Sequence, residues 1–244
     1  MMIKNERFDM YLNILHEVGR QLNFDDIVLD LGCGNGDMVF EYRNNGYQAY
    51  GCDFHFKPGS NVESLAKDGT IRLIQGDQYH LPFDDGLFDV VLTDQVLEHV
   101  QDYSKTFSEI SRVLKPKGVS LNFFPSRYTP LEPHILVPLG TILQARWWLW
   151  LWAILGVRSP SQGNMHVKEI VETNFRYLNE NTNYMPKKAI ERYANLYFAR
   201  CIWGEKEFLK YSRRGRKLYD LSAPFPFIIG LYRIFKDRVL IVYK

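Results

Sequence analysis

The chain has 244 residues, 46% of them hydrophobic, and a formal net charge of +2. That length suits one large α/β domain, or one domain with a sizeable insertion, and so small a charge excludes a global electrostatic attraction for nucleic acid. Cys33, Cys52 and Cys201 are too few and too scattered for a disulfide framework or a zinc site, so a reducing compartment is expected.

At the N-terminus, Phe8, Tyr11, Leu12, Leu15 and Val18 recur at helical spacing. Charges stand where a signal peptide needs its apolar core, so no export is expected. Residues 26–32, DIVLDLG, read as a short buried strand. Further strands are expected at 46–53, 70–77, 88–94 and 118–125. Helical stretches lie between most of them, at 38–45 and at 102–115, where the PKG of residues 116–118 is expected to stop the helix. Strands alternating with helices indicate βαβ units and a mostly parallel sheet. After Pro125 the rhythm breaks into a stretch rich in Pro and Trp. It returns with a helix opened by Pro186, a strand near 196–202 and the β-forming end VLIVYK. The organisation expected is one domain over residues 1–244, with an insertion at 126–185.

The first strand delivers the chain to Gly32, Gly34 and Gly36. Glycines there allow positive φ angles and let a ligand approach bare backbone. The following helix offers free N–H groups. A dinucleotide fingerprint needs its third glycine at position 37, which is Asp, and an aspartate at the helix start repels a pyrophosphate. A tight strand–helix turn with no ligand is the plain alternative. Asp53 closes the second strand, where a carboxylate can accept from both hydroxyls of a ribose. Asp77 closes the third, where one can accept from an exocyclic amine. An ordinary turn-forming aspartate is the alternative for each. Three ligand-suited groups at successive strand ends converge on the carboxyl edge of the sheet, where open α/β folds bind ligands.

With VLDLGCGNGD, GCDF, GDQYHLPFDDGLFDVVLTDQVLEHV and LKPKG in that order, residues 28–124 resemble the class I S-adenosylmethionine-dependent methyltransferases, in particular the type 11-like subgroup. The resemblance implies a Rossmann-like sheet of seven strands, with helices on both faces. The last strand is antiparallel, between the fifth and sixth, and a helical cap follows strand five. It implies that the backbone of Gly32, Cys33, Gly34, Asn35 and Gly36 faces the methionyl part of S-adenosylmethionine, and that Asp30 orients its amino group. It further assigns Asp53 to the ribose, Phe54 to the adenine face, Asp77 and Gln78 to the adenine amine and ring, and Asp94 and Gln95 to the methionyl side. S-adenosylhomocysteine is the implied product.

Methyl transfer needs a base only for a hydroxyl or protonated-amine acceptor. His134, in the EPH that follows strand five, and His99, in LEHV, are the candidates. Their alternatives are a loop histidine paired with Glu132 and a brace for the turn. The six histidines show no metal-ligand spacing, so no metal is expected. The run 135–157, with Arg146 its only charge, is expected to fold as cap helices closing an apolar acceptor pocket rather than to span a bilayer. Pro138, Gly140 and Arg146 interrupt it. Together with the basic KYSRRGRK at 210–217 and the apolar 225–235, it raises peripheral membrane contact as a question. The expected activity is methyl transfer to a small-molecule or lipid-like acceptor in the cytoplasm, either free or membrane-associated. No nucleic-acid partner is expected: TDQV stands where an Asn-Pro-Pro-Tyr-like tetrapeptide would. The competing function is a cofactor-binding module without transfer activity, serving as a regulator or partner subunit.

Overall fold

The structure is a computed structural model, and it describes residues 6–59, 61–76 and 79–244. The elements run α1 (Glu6–Glu17), β1 (Ile27–Leu31), α2 (Asp37–Asn44), β2 (Gln48–Asp53), α3 (Val62–Lys67), β3 (Ile71–Leu73), β4 (Phe88–Asp94), α4 (Tyr103–Val113) and β5 (Leu114–Pro125). Then come α5 (Arg146–Ile154), α6 (Val167–Glu180), α7 (Lys187–Ala194), β6 (Arg200–Trp203), α8 (Glu205–Tyr211), α9 (Arg216–Ser222), α10 (Phe227–Phe235) and β7 (Asp237–Tyr243). The sheet order is β3-β2-β1-β4-β5-β7-β6. β1 to β5 pair in parallel, and β7 pairs antiparallel with both β5 and β6. This is the expected Rossmann-like arrangement.

Strand alternation sends successive side chains to opposite faces. Leu29 and Val91 join Phe107, Ile110 and Val113 of α4 on one face, while Val28 and Val90 join Tyr11 and Ile14 of α1 on the other. Burying each such large side chain stabilises the fold by about 1.5–3 kcal/mol. Tyr103, Phe107, Ile110 and Val113 line the buried side of α4 at helical spacing, and Asp102 caps its start by accepting from the Lys105 N–H at 3.0 Å.

Three expectations shift. α4 stops at Val113 rather than 115, because Leu114 already pairs with Phe88 and the chain bulges before Val119 pairs with Val90. The third strand is shorter than 70–77, and the sixth begins at Arg200. The largest correction concerns 135–157, where only Arg146–Ile154 is helical. The segment before it turns back on itself. Leu131 bridges Pro138, and Leu136 and Leu139 take left-handed φ of 60° and 53°. Pro130, Pro133 and Pro138 cannot donate to a helix ladder, so the loop's amides turn to Glu132 and nearby carbonyls instead. The segment has its own small core of Ile135, Val137, Leu149, Ala153, Ile170, Val171 and Leu178. It meets the sheet where α6 ends: the Asn183 N–H donates to the Glu98 carbonyl at 2.6 Å, and the Asn183 amide to the Val100 carbonyl at 3.0 Å.

Candidate active site

The glycine turn leaves β1 with Gly32, Gly34 and Gly36 all left-handed, at φ of 83°, 56° and 74°. Gly32 is the most constrained. A Cβ there would lie 2.3 Å from Cγ2 of Val96, whereas one at Gly34 would meet only the flexible Lys57 chain at 3.4 Å. Cys33 is buried, and its backbone closes the turn, donating to the Cys52 carbonyl at 3.2 Å and accepting from the Gly36 N–H at 2.8 Å. The Asn35 amide donates to Asp37 at 2.7 Å. Asp53, at the end of β2, braces the turn across the gap. Its Oδ2 accepts from the Gly34 N–H at 2.8 Å and its Oδ1 from the Phe54 N–H at 2.7 Å.

Asp30 is buried at the end of β1. Burial, aided by Asp94 and Asp53, pushes its carboxyl up to about 7. Asp94, at the end of β4, accepts from the Tyr11 hydroxyl at 2.7 Å and pairs with Arg7, so α1 reaches over this edge. Burial first, then Asp94, raises the Tyr11 hydroxyl well above its ordinary value. Gln95 follows with a left-handed φ of 59°, its N–H held by the Phe123 carbonyl at 2.8 Å. Asp77 and Gln78 lie outside the described residues.

Two cavities flank this edge. The smaller, of about 110 Å³, is bounded by Phe54, Ile74, Leu81, Val96 and His99, with Phe54 47% exposed beside it. The larger, of about 940 Å³, opens beside Asp94 and Gln95 and carries Arg7, Arg213, Arg214 and Lys236 on its wall. Arg213 pairs with Glu6 at 3.1 Å, while Arg214 and Lys236 form no ion pair among the described residues.

Past β4 a single 3-10 turn, Leu97–His99, presents two adjacent titratable side chains. Glu98 is only 1% exposed, and neither of its carboxylate oxygens has a hydrogen-bond partner among the described residues. Burial pushes it up to about 8, helped by the carboxylates of Asp94, Asp237 and Glu132. Nδ1 of His99 lies 2.6 Å from the Asn181 carbonyl, and burial lowers the ring's affinity for a proton. His134 arrives from the insertion with its ring centre 5.0 Å from that of His99. Nδ1 of His134 lies 2.9 Å from Glu132, which is fully buried and also accepts from the His134 and Ile135 N–H groups and from the Tyr184 hydroxyl. Burial would raise Glu132, but the His134, Tyr184 and Ile135 bonds outweigh it and hold the carboxyl below the ordinary value.

The structure thus brings His99 and His134 together, and His99 shares the lining of the smaller cavity with Phe54 and Leu31. The sequence reading paired Glu132 with His134 but missed Glu98, Tyr184, Tyr11 and Arg7 as site residues. Glu98 was visible only as the acid inside LEHV. Nothing local marked Tyr184 as a partner of Glu132.

The sequence profile of the family described as "Methyltransferase domain" matches residues 29–121. A demethylmenaquinone methyltransferase of Thermobifida fusca is 32% identical over 111 residues, covering 44% of this chain and 47% of that protein. Residues 29–121 thus carry the sequence of a methyltransferase domain, the part of the chain that resembles the class I S-adenosylmethionine-dependent enzymes. The chain spans about half or less of the length of the first relatives it matches. A phosphoethanolamine N-methyltransferase 2 of Haemonchus contortus, solved with phosphomonomethylethanolamine and S-adenosylhomocysteine, shares the fold with a TM-score of 0.54 at 17% identity. That likeness covers 96% of this chain and 52% of that one. The [4+2]-cyclase SpnF shares the methyltransferase domain's fold too, with a TM-score of 0.52 at 13% identity, covering 98% of this chain and 80% of that one.

Proposed function

We propose that this chain transfers a methyl group from S-adenosylmethionine to a small-molecule or lipid-like acceptor. The observation that carries the reading is the electrostatics of the strand ends. Asp30, Asp53 and Asp94 crowd one edge, and burial, aided by the other two, raises the Asp30 carboxyl to about 7. A ligand with a sulfonium and an ammonium relieves that repulsion; a pyrophosphate aggravates it. The bare Gly32–Gly36 turn fits a ligand lying on backbone, and the outer lone pairs of Asp53 fit ribose hydroxyls. When bound, the cofactor supplies a methyl carbon on positive sulfur, and the acceptor displaces it in line. The chain's work is then mostly alignment, which can remove about 7–11 kcal/mol of barrier. For a hydroxyl acceptor, His134 is the base. Glu132 fixes its Nδ1, leaving Nε2 to take the proton, and His99 lines the approach.

Residues 126–185 act in this reading as a substrate cap within one methyltransferase domain. The cavity beside Asp94 and Gln95 is of the size that takes a small-molecule ligand, roughly 300–1,000 Å³, and its unpaired Arg214 and Lys236 suit an acceptor with an anionic group. Exposed apolar side chains of α5 and α10, with the basic 210–217 segment, support peripheral contact of a cytoplasmic enzyme with anionic membrane. Among the described residues no helix is long and apolar enough to cross a membrane.

The second reading, a binding module without transfer, draws support from the cyclase that shares this fold. Calorimetric titration with S-adenosylmethionine, followed by a labelled-methyl assay on a panel of hydroxylated and anionic amphiphiles, separates the two. Binding together with label transfer is expected. Binding with no transfer to any acceptor leaves the module, and no binding removes both.

A further inference from the structure

We infer that Glu98, His99 and His134 form a binding site for one divalent transition-metal ion.

Both histidines leave one ring nitrogen unused. Each histidine has its Nδ1 engaged: that of His99 by the Asn181 carbonyl at 2.6 Å, that of His134 by the Glu132 carboxylate at 2.9 Å. Both acceptors are pure acceptors, so each Nδ1 carries the hydrogen and each Nε2 is left with a bare lone pair. Metal-binding histidines are held in this way, the far nitrogen donating to a carboxylate or a carbonyl that fixes the tautomer and aims the ring. Here one ring has each kind of partner. Glu98 supplies the negative ligand. It is buried from solvent, yet both of its oxygens lack a partner among the described residues, and Oε1 lies 3.9 Å from Nε2 of His99. A buried carboxyl group whose oxygens meet no donor is unfavourable unless something else satisfies them. One ligand atom from each of the three side chains lies within 4.8 Å of the others. Atoms about 2.1 Å from a shared ion stand about 3.4 Å apart in a tetrahedral site, so closing the site takes small side-chain rotations only.

The donor set chooses the ion. Two imidazoles and one carboxylate favour zinc, manganese or iron(II) over calcium or magnesium, which prefer all-oxygen shells. Three protein ligands leave coordination positions open, as in sites that bind a reacting oxygen. The ligands are not in series along the chain. Glu98 and His99 are adjacent, and His134 comes from beyond β5, which is why ligand spacing along the sequence did not reveal the set.

Ion uptake needs neither cofactor nor acceptor, because all three ligands are the chain's own, although it shares His134 and His99 with the proposed mechanism. It bears on the proposed mechanism at one point. An ion on Nε2 of His134 removes that nitrogen as a base, and a hydroxyl bound to the ion would lose its proton more readily instead.

The test uses the full chain stripped with EDTA and titrated calorimetrically with zinc, and separately with manganese. One ion per chain is expected, with a rise in Tm on loading. Glu98→Gln and His134→Ala should each abolish that uptake, and Glu132→Gln, which loosens the His134 orientation, should weaken it about 10–100-fold. X-ray absorption on the zinc-loaded wild type should show two imidazole nitrogens, a reading that survives even if a variant fails to fold. A wild type that takes up no stoichiometric ion overturns the proposal. So does uptake unchanged in both Glu98→Gln and His134→Ala, which would place the ion on exposed histidines elsewhere. S-adenosylmethionine binding, measured on the same samples, keeps the two readings separate: turnover indifferent to EDTA in a chain that takes up no ion leaves His134 as the base and removes the metal alone.

Discussion

The two sides of β4 are built by different means. On the glycine side, backbone amides and carboxylates come from successive strand ends, and a parallel sheet aligns those ends without further instruction. Gly32 and Gly34 follow β1, Asp53 ends β2 and braces the Gly34 N–H, and Asp94 ends β4 and is held by Tyr11 and Arg7 of α1. On the histidine side, Glu98 and His99 sit on one turn, but His134 is carried in by a proline-rich loop folded around Glu132, and Tyr184 reaches the same carboxylate from beyond α6. The first arrangement is spread over several strand ends; the second depends on one buried carboxylate holding a loop. On the proposed function, the contrast implies that turnover and cofactor binding fail separately when the two sides are mutated.

The largest expected effect is on the histidine side. With a hydroxyl acceptor, His134→Ala should lower turnover about 10²–10⁴-fold while leaving S-adenosylmethionine affinity near that of the wild type. Single-turnover assays beside calorimetry check this. If both quantities fall together, the two sides are not separable.

Next comes Asp30, which probes whether the glycine side stores electrostatic strain. Its carboxyl is raised by burial to about 7 from an ordinary 3.8. The unfolded chain therefore releases this proton at lower pH than the folded one, and stability falls as pH rises from about 4 through 7. Asp30→Asn, which cannot ionise, should be more stable than the wild type by up to about 4 kcal/mol above pH 7, at 1.36 kcal/mol per pKa unit. The advantage should vanish near pH 4. Urea unfolding at the two pH values measures it, and equal stabilities at pH 8 would mean that Asp30 is ionised without penalty.

On the proposed function, Asp53→Ala removes acceptors for two ribose hydroxyls, each charge-assisted bond being worth about 1.5–3 kcal/mol. Cofactor affinity should drop at least about tenfold, since 1.4 kcal/mol is one decade. The turn also loses its brace on the Gly34 N–H, so part of the loss is preorganisation. Unchanged affinity in a calorimetric titration would remove Asp53 from the cofactor side. Gly32→Val should be harsher than Gly34→Val, because Val96 already fills the space of a Cβ at Gly32.

The smallest effect concerns the apolar surface. α5 buries Leu149 and Ala153 and exposes Trp147 and Trp150, at 65% and 53%, whereas α10 buries none of its residues. Trp148 is half-buried, its indole N–H donating to the Pro138 carbonyl at 2.7 Å, so the rings free to insert are those of Trp147 and Trp150. Flotation with anionic vesicles should weaken as salt rises, since screening acts within about 8 Å at physiological ionic strength. Trp147→Ser with Trp150→Ser, or Phe227→Ser with Leu231→Ser, should reduce it further. Protein that stays with the soluble fraction at low salt ends the membrane reading.

Periodicity and strand-end chemistry were enough to read alternating strands and helices, a mostly parallel sheet, and the glycine turn and Asp53 at successive strand ends, while the antiparallel last strand and the places of Asp30 and Asp94 came from the family resemblance. These are local properties: strand alternation, helical spacing and glycine at left-handed positions depend on neighbours a few residues away. The path of residues 126–145 was not legible in this way. Its apolar run reads as helix, but three prolines and the amides drawn to Glu132 make it a turn, and no window of residues weighs a buried carboxylate against a helix ladder. The α5 helix was legible as apolar, yet not which tryptophans face outward, because that depends on what Pro138 and α6 place against it. The meeting of Glu98, His99 and His134 belongs wholly to the tertiary structure. Two of the three are neighbours in sequence, but the third joins them only because β5 ends beside that turn and the loop beyond it closes back, a distance relation that sequence order does not encode.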